Sequence, residues 1–227
     1  MVLENAMRPA GVSQSHLRYP LTGIFSSPGA VRVLRVLATQ EQPIGTTLIA
    51  KQSGLTWKGT TLVLENLANR QVIQTLGSTG TQLFQLNRRH PLAAVLETLF
   101  QAEQNRWADL LQAVRRVLNE HRAIQAAWYY GSVARGEDTA QSDFDIGFIA
   151  ADDEQLDTIA DSVRAALHQV EDQFSVAISV VGLSGADVIR LNQNQDEWWM
   201  SMTQDARSLK GKSPQDFAAA IQKGGKR

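Results

Sequence analysis

Cysteine is absent from the 227-residue chain, which excludes a disulfide framework, thiolate catalysis and any cysteine-ligated metal. Histidine is scarce, and His16, His90, His121 and His168 lie too far apart to form a metal cluster. No apolar run approaches the roughly 18 residues that a bilayer crossing needs; Val176 to Val181 is already broken by Ser179. A membrane-spanning protein is not expected. The first residues carry Glu4 and Arg8 and no apolar core segment, so no secretory signal is expected and the cytoplasm is the expected compartment. What remains is 43% hydrophobic and 20% charged, a globular composition that excludes disorder and fibre and suffices for one or two domains.

Net charge is also nearly absent, at −1, but the balance hides a split. Residues 1–90 hold nine Lys/Arg against three Asp/Glu, and residues 91–227 hold thirteen against twenty. The basic half suits phosphate backbones, and the acidic half suits a carboxylate site that works through cations.

Within the basic half, Ser27-Pro28 offers a cap and a first-turn proline ahead of Val31, Val33, Leu34, Val36 and Leu37, which predicts a helix ending near Gln40. A second helix is predicted from Thr46 to Gln52, closed by Gly54. A third runs from Thr56 to Arg70, with Leu62, Leu64 and Leu67 expected inward and Thr60, Thr61, Glu65, Asn66 and Arg70 outward. Val72 to Leu76 and Thr81 to Leu86 alternate as strands, joined by Gly77-Ser78-Thr79-Gly80 into a hairpin.

Three helices and a hairpin in a net positive piece resemble a winged helix-turn-helix domain of the bacterial repressor type, over residues 21–90. The resemblance implies double-stranded DNA as partner. Thr56, Trp57, Lys58, Thr60 and Thr61 would then approach bases and phosphates, and Lys51 and Arg70, with Arg88 and Arg89, would hold the backbone. The alternative is a protein-interaction module of the same shape, with Trp57 a half-buried packing residue.

From Pro91 to His121, apolar residues recur at three-and-four spacing from Leu92 through Leu118, with polar residues crowding between Gln101 and Arg106. The spacing predicts a connector helix over 91–121, about 45 Å long, able to join two domains or to pair with its copy in a homodimer. An ordinary helix packed on its own domain is the alternative.

The segment from Ala127 to Ala150 carries the chemistry. An apolar strand leads into Gly131-Ser132, a turn with Arg135 and Gly136 follows, and a second strand opens with Asp143-Phe144-Asp145. Gly131 leaves room for backbone to approach phosphate, and the following amides and the Ser132 hydroxyl can donate to phosphate oxygens. Residues two apart on a strand share a face, so Asp143 and Asp145 stand side by side. Two such carboxylates call for a cation between them, and Mg2+ is commonly held by one or two carboxylates together with substrate phosphates.

Gly131-Ser132 followed by Asp143-x-Asp145 resembles the nucleotidyltransferase superfamily, which includes DNA polymerase beta, poly(A) polymerases, aminoglycoside nucleotidyltransferases and the minimal nucleotidyltransferases. The resemblance implies that Asp143 and Asp145 are catalytic and bind Mg2+, and that Gly131, Ser132 and Arg135 bind a nucleoside triphosphate. It also implies a mixed sheet with packed helices over residues 122–227. The expected fold class is therefore α+β: an N-terminal winged helix-turn-helix, a long connector helix and a C-terminal nucleotidyltransferase-type mixed β-sheet. Further along, a helix is expected over Asp152 to Val170, a strand over Phe174 to Val181 and a helix from Ser184 toward Asn192, and the stretch from Asp196 through Lys210-Gly211 resembles the family's terminal helix. The two tryptophans are read as core rather than as a substrate platform.

Active members of that superfamily carry a third carboxylate on the next strand. Here Phe174 to Val181 contains no acid; its equivalent position falls at Ala177 or Ser179, and Glu171 or Asp172 would serve only through a shifted register. Two functions remain open on the sequence. One is a nucleotidyltransferase acting on an acceptor hydroxyl. The other is a DNA-binding transcriptional regulator or antitoxin-type protein whose transferase domain is inactive.

Overall fold

A computed structural model describes residue 15 and residues 17–78, 81–151 and 155–224. Within these the chain is a mixed α and β structure in two compact units, one ending at Gln104 and the other beginning at Asn105. Thr79 and Gly80 of the expected hairpin turn, Asp152 at the start of an expected helix, and His16 lie outside the described residues.

The first unit begins with a short helix α1 (Pro20–Ile24) and then α2 (Pro28–Ala38), where Ser27 caps the helix by accepting from the Ala30 amide at 3.1 Å. A two-residue strand β1 (Ile44–Gly45) leads into α3 (Thr46–Ser53), which stops at Gly54 in the left-handed conformation, φ 66°. Helix α4 (Trp57–Asn69) starts from Thr56, whose hydroxyl accepts from the Gly59 amide at 3.1 Å. Strands β2 (Ile73–Leu76) and β3 (Leu83–Leu86) form the expected antiparallel hairpin, and β1 adds to its free side in the order β1-β3-β2. A core of Leu34, Leu37, Ile49, Leu64, Leu67 and Phe84 closes the unit.

One face of α4 differs from expectation. Leu62 is 60% exposed, whereas Thr60 is fully buried. At about 100° per residue the inward seam runs Thr60, Leu64, Leu67, which sends Leu62 to the opposite side. Thr60 tolerates burial because its hydroxyl donates to the Thr56 carbonyl at 3.0 Å.

The stretch expected as connector is helical over α5 (Ala93–Glu120) without interruption. Its first half contributes Ala93, Leu96 and Phe100 to the core of the first unit. Its second half contributes Leu110, Val114, Val117 and Leu118 to that of the second.

The second unit continues with β4 (Ile124–Tyr130), a short α6 (Gly131–Arg135), β5 (Phe144–Ala150), α7 (Leu156–Phe174), β6 (Ile178–Leu183) and α8 (Gly185–Gln193). It closes with α9 (Glu197–Asp205), β7 (Arg207–Lys210) and α10 (Pro214–Gly224). Its sheet has the order β6-β5-β4-β7, with β5 and β6 parallel across the α7 connection and the other pairs antiparallel. Alternation along β4 and β5 builds two cores. Phe144, Ile146 and Phe148 face α5 and α7, while Ala126, Trp128 and Tyr130 face Val188, Trp199 and Met202.

Two expected boundaries move. Phe174 ends α7 rather than opening a strand, because its ring belongs to the core that the helix covers; Ser175 then turns at φ 49° and the strand begins at Ile178. The closing stretch is not one helix: α9 ends at Asp205, and Arg207–Lys210 pairs with β4 as an edge strand. Lys210 donates to the carbonyls of Leu118 and His121, at 2.7 and 3.1 Å, and burial pushes its pKa down. Among the described residues no helix is long and apolar enough to cross a membrane.

Candidate functional site

Strand β4 delivers its last residue, Tyr130, directly opposite Asp145 on β5. The chain must then turn sharply, and Gly131 does so with φ 74°. A side chain here is disfavoured twice. The conformation is one that L residues seldom adopt, and a β-carbon would sit 2.7 Å from the Asp145 Oδ2 atom. The glycine that precedes Ser132 therefore makes room for a carboxylate of the same site. Helix α6 follows and ends at Gly136, again left-handed at φ 71°.

Asp143 arrives from a loop that is tied to itself. The Thr139 amide donates to the Ser142 hydroxyl at 3.0 Å, and the Ser142 amide donates back to the Thr139 carbonyl at 3.1 Å. Phe144 is buried behind the pair, its amide bonded to the Ala177 carbonyl at 2.8 Å. Burial, and secondarily the charge of Asp143, push the Asp145 carboxyl above its usual range. A divalent cation shared by the two carboxylates would remove that repulsion, and the donor set suits Mg2+ held by two acids and completed by phosphate oxygens.

Of the two positions at which the resemblance implies a third acid, Ala177 precedes β6 and Ser179 lies on it. Asp145 is paired with Ser179 on β6. Neither nearby acid replaces it: Glu171 accepts from the Ile178 amide at 2.7 Å and from His168 at 3.1 Å, and Asp172 is exposed on α7. Among the described residues no group of three or more metal-ligating side chains occurs.

Arg135, expected on phosphate, is held between two carboxylates. Its Nε donates to Glu137 at 2.7 Å and its Nη1 to Asp205 at 2.6 Å, and both bonds raise its pKa. The guanidinium thus ties α6 to the end of α9.

Tyr130 is a site residue that sequence reasoning missed. Burial and the Asp145 charge push its hydroxyl up to about 12, while a hydrogen bond from Trp198 works in the opposite direction. The signal available was its place in the chain, immediately before Gly131 and on the face of β4 shared with Trp128.

In the first unit, Thr56, Trp57 and Lys58 stand at the start of α4, with Trp57 and Lys58 exposed there and Lys51 exposed on α3. Trp57 is 62% exposed, so it is not a packing residue. Thr61 is half-buried and its hydroxyl donates to the Trp57 carbonyl at 3.0 Å. Arg70 stands about 20 Å away at the far end of the helix, with Nε on the Asn66 side chain at 2.9 Å. Thr60 is withdrawn from the set of base-reading residues, since its side chain is buried and already bonded to backbone. A groove of about 930 Å3 separates α4 from the hairpin, lined among others by Trp57, Thr61, Leu64, Thr75 and Leu83.

Comparison with known families matches residues 112–215 to the family described as polymerase beta, nucleotidyltransferase, a span that includes Gly131, Ser132, Asp143 and Asp145. The curated proteins give no significant match. Among solved structures the chain is similar to a toxin-antitoxin complex with AMP-PNP, at 15% identity over 51% of this chain and 86% of that one, with a TM-score of 0.32. A mutant of the toxin-antitoxin MntA-HpeT is similar at 13% identity over 51% and 86%, with a TM-score of 0.33. Human N-acetylserotonin methyltransferase in complex with SAM is similar at 14% identity over 85% of this chain and 48% of that one, with a TM-score of 0.25.

Proposed function

We propose that the nucleotidyltransferase-type domain of this chain binds a nucleoside triphosphate together with Mg2+ at Asp143 and Asp145, with Gly131 and Ser132 holding the phosphates. The observation that carries the reading is the meeting of the Gly131 turn with the Asp145 carboxylate, beside a second acid whose charge Asp145 already feels. Holding two like charges together costs folding stability, which is the usual signature of groups kept for a cationic ligand. When bound, Mg2+ would neutralise phosphate charge. Arg135 acts at one remove, fixing α6 against α9 through Asp205.

In the enzyme reading an acceptor hydroxyl attacks the alpha-phosphorus, an oxygen–phosphorus bond forms, and pyrophosphate leaves with the old one. The acceptor's proton has no carboxylate to receive it at the register position of Ser179. That same serine favours a second reading: a DNA-binding transcriptional regulator or antitoxin-type protein whose transferase domain is catalytically inactive and serves as a nucleotide sensor or a partner-binding surface. Residues 21–90 are proposed as the winged helix-turn-helix of either version, with α4 entering the major groove and Lys51, Lys58 and Arg70 on the backbone. The protein is proposed to be cytoplasmic. A homodimer through α5 is proposed from Val95 and Leu99, exposed one turn apart on that helix.

Incubation with each alpha-labelled nucleoside triphosphate, Mg2+ and cell extract separates the readings. Label carried onto an acceptor supports the enzyme. Nucleotide binding without transfer supports the nucleotide-sensing regulator, and absence of binding removes both the enzyme and the sensor.

A further inference from the structure

Trp198 and Trp199 are adjacent in sequence and opposite in environment. Trp199 is 1% exposed, sits edge-on against Trp128 at 6.5 Å, and its indole N–H reaches the Asn192 side chain at 3.4 Å. It is core. Trp198 is 38% exposed. Successive residues on a helix point about 100° apart, and on α9 Trp199 turns into the core while Trp198 meets a different neighbour. That neighbour is Tyr130, whose ring centroid lies 5.9 Å away with the planes at 86°.

Tyr130 is the cross-strand partner of Asp145 and the residue before Gly131. Trp198 is therefore one ring contact removed from the carboxylate that borders the proposed phosphate site. The position of α9 is itself fixed from the same loop, because Asp205 at its end holds Arg135 of α6 at 2.6 Å. Packing alone is a weak reason for an indole at this exposure, since the part of a large apolar side chain left in water contributes nothing to burial. The exposed indole stands against Tyr130, the cross-strand partner of Asp145.

We propose that Trp198 is the base platform of this site: the nucleobase of the bound triphosphate stacks on its exposed indole, with Tyr130 holding the ring in place from behind. The proposal rests on the nucleotide-binding reading above. Stacking uses the π-face that every base has, so Trp198 adds affinity for all nucleobases rather than choosing one.

The test measures Mg2+-dependent binding of ATP, GTP, CTP and UTP, and separately of inorganic tripolyphosphate, to the full chain and to Trp198→Ala and Trp198→Phe. Trp198→Ala should weaken all four nucleotides by about five- to a hundredfold and leave tripolyphosphate unchanged, while Trp198→Phe keeps most of the affinity. Nucleotide should also quench tryptophan fluorescence in the natural chain and much less in Trp198→Phe. That readout holds even if the alanine variant folds poorly. Unchanged nucleotide affinity in a folded Trp198→Ala, or an equal quench in Trp198→Phe, would overturn the platform while leaving the phosphate site standing. Failure of the natural chain to bind either nucleotide or tripolyphosphate would overturn the nucleotide reading itself, and the platform with it.

Discussion

A β-carbon on residue 131 would lie 2.7 Å from the Oδ2 atom of Asp145, so a side chain at 131 requires the Asp145 carboxylate to turn aside. Gly131→Ala must both adopt φ near 74° and push the carboxylate aside. The expected cost is about 1–3 kcal/mol of stability, read as a lower urea midpoint, together with loss of nucleotide affinity. A variant as stable as the natural chain would show that the turn relaxes and that the carboxylate is not fixed by it.

The raised Asp145 carboxyl makes a prediction with a definite sign. Folding favours its protonated form, so its favourable contribution is complete below the ordinary carboxylate value of about 4 and is lost as pH rises through the elevated one. At pH 7, without metal, the ionised group therefore weakens the fold. Asp145→Asn should melt at least as high as the natural chain at pH 7, and that advantage should shrink near pH 4. Thermal melts at the two values decide it. A lower melting temperature for the asparagine variant at pH 7 would place a stabilising partner on Asp145.

For the first unit, the salt dependence of duplex binding by the full chain is informative. Each phosphate neutralised releases condensed counterion, so Lys58→Ala should weaken binding to all sequences alike and flatten the logarithmic salt slope by about one. Thr61→Ala should change sequence preference instead. Thr60→Val should leave preference unchanged, because its side chain is buried and bonded to the Thr56 carbonyl. An unaltered salt slope in Lys58→Ala would take the start of α4 off the DNA.

Much of this is legible in the sequence, for local reasons. Gly54, left-handed, ends a helix that its position announces, and Ser27-Pro28 opens the helix expected there. What escapes depends on long-range packing. Leu62 and Thr60 exchange sides because their seam is chosen by the partners of Leu64 and Leu67 rather than by their own polarity. The apolar run from Phe174 to Val181 suits a helix end as well as a strand, and only the core around Phe174 decides between them. Strand β7 has one buried residue, Leu209, and its pairing with β4 leaves no periodic trace. Trp198 and Trp199 are alike in sequence, and only the packing of α9 turns one of them outward.

In the proposed site Asp143 and Asp145 hold nucleotide through a divalent cation. Calorimetric titration of nucleoside triphosphate into the protein, with Mg2+ and again with chelator, tests it most directly when repeated on the double variant Asp143→Asn, Asp145→Asn. Saturable binding is expected in the natural chain with Mg2+, and none in chelator or in a folded double variant. Equal affinity in chelator or in the double variant would contradict it.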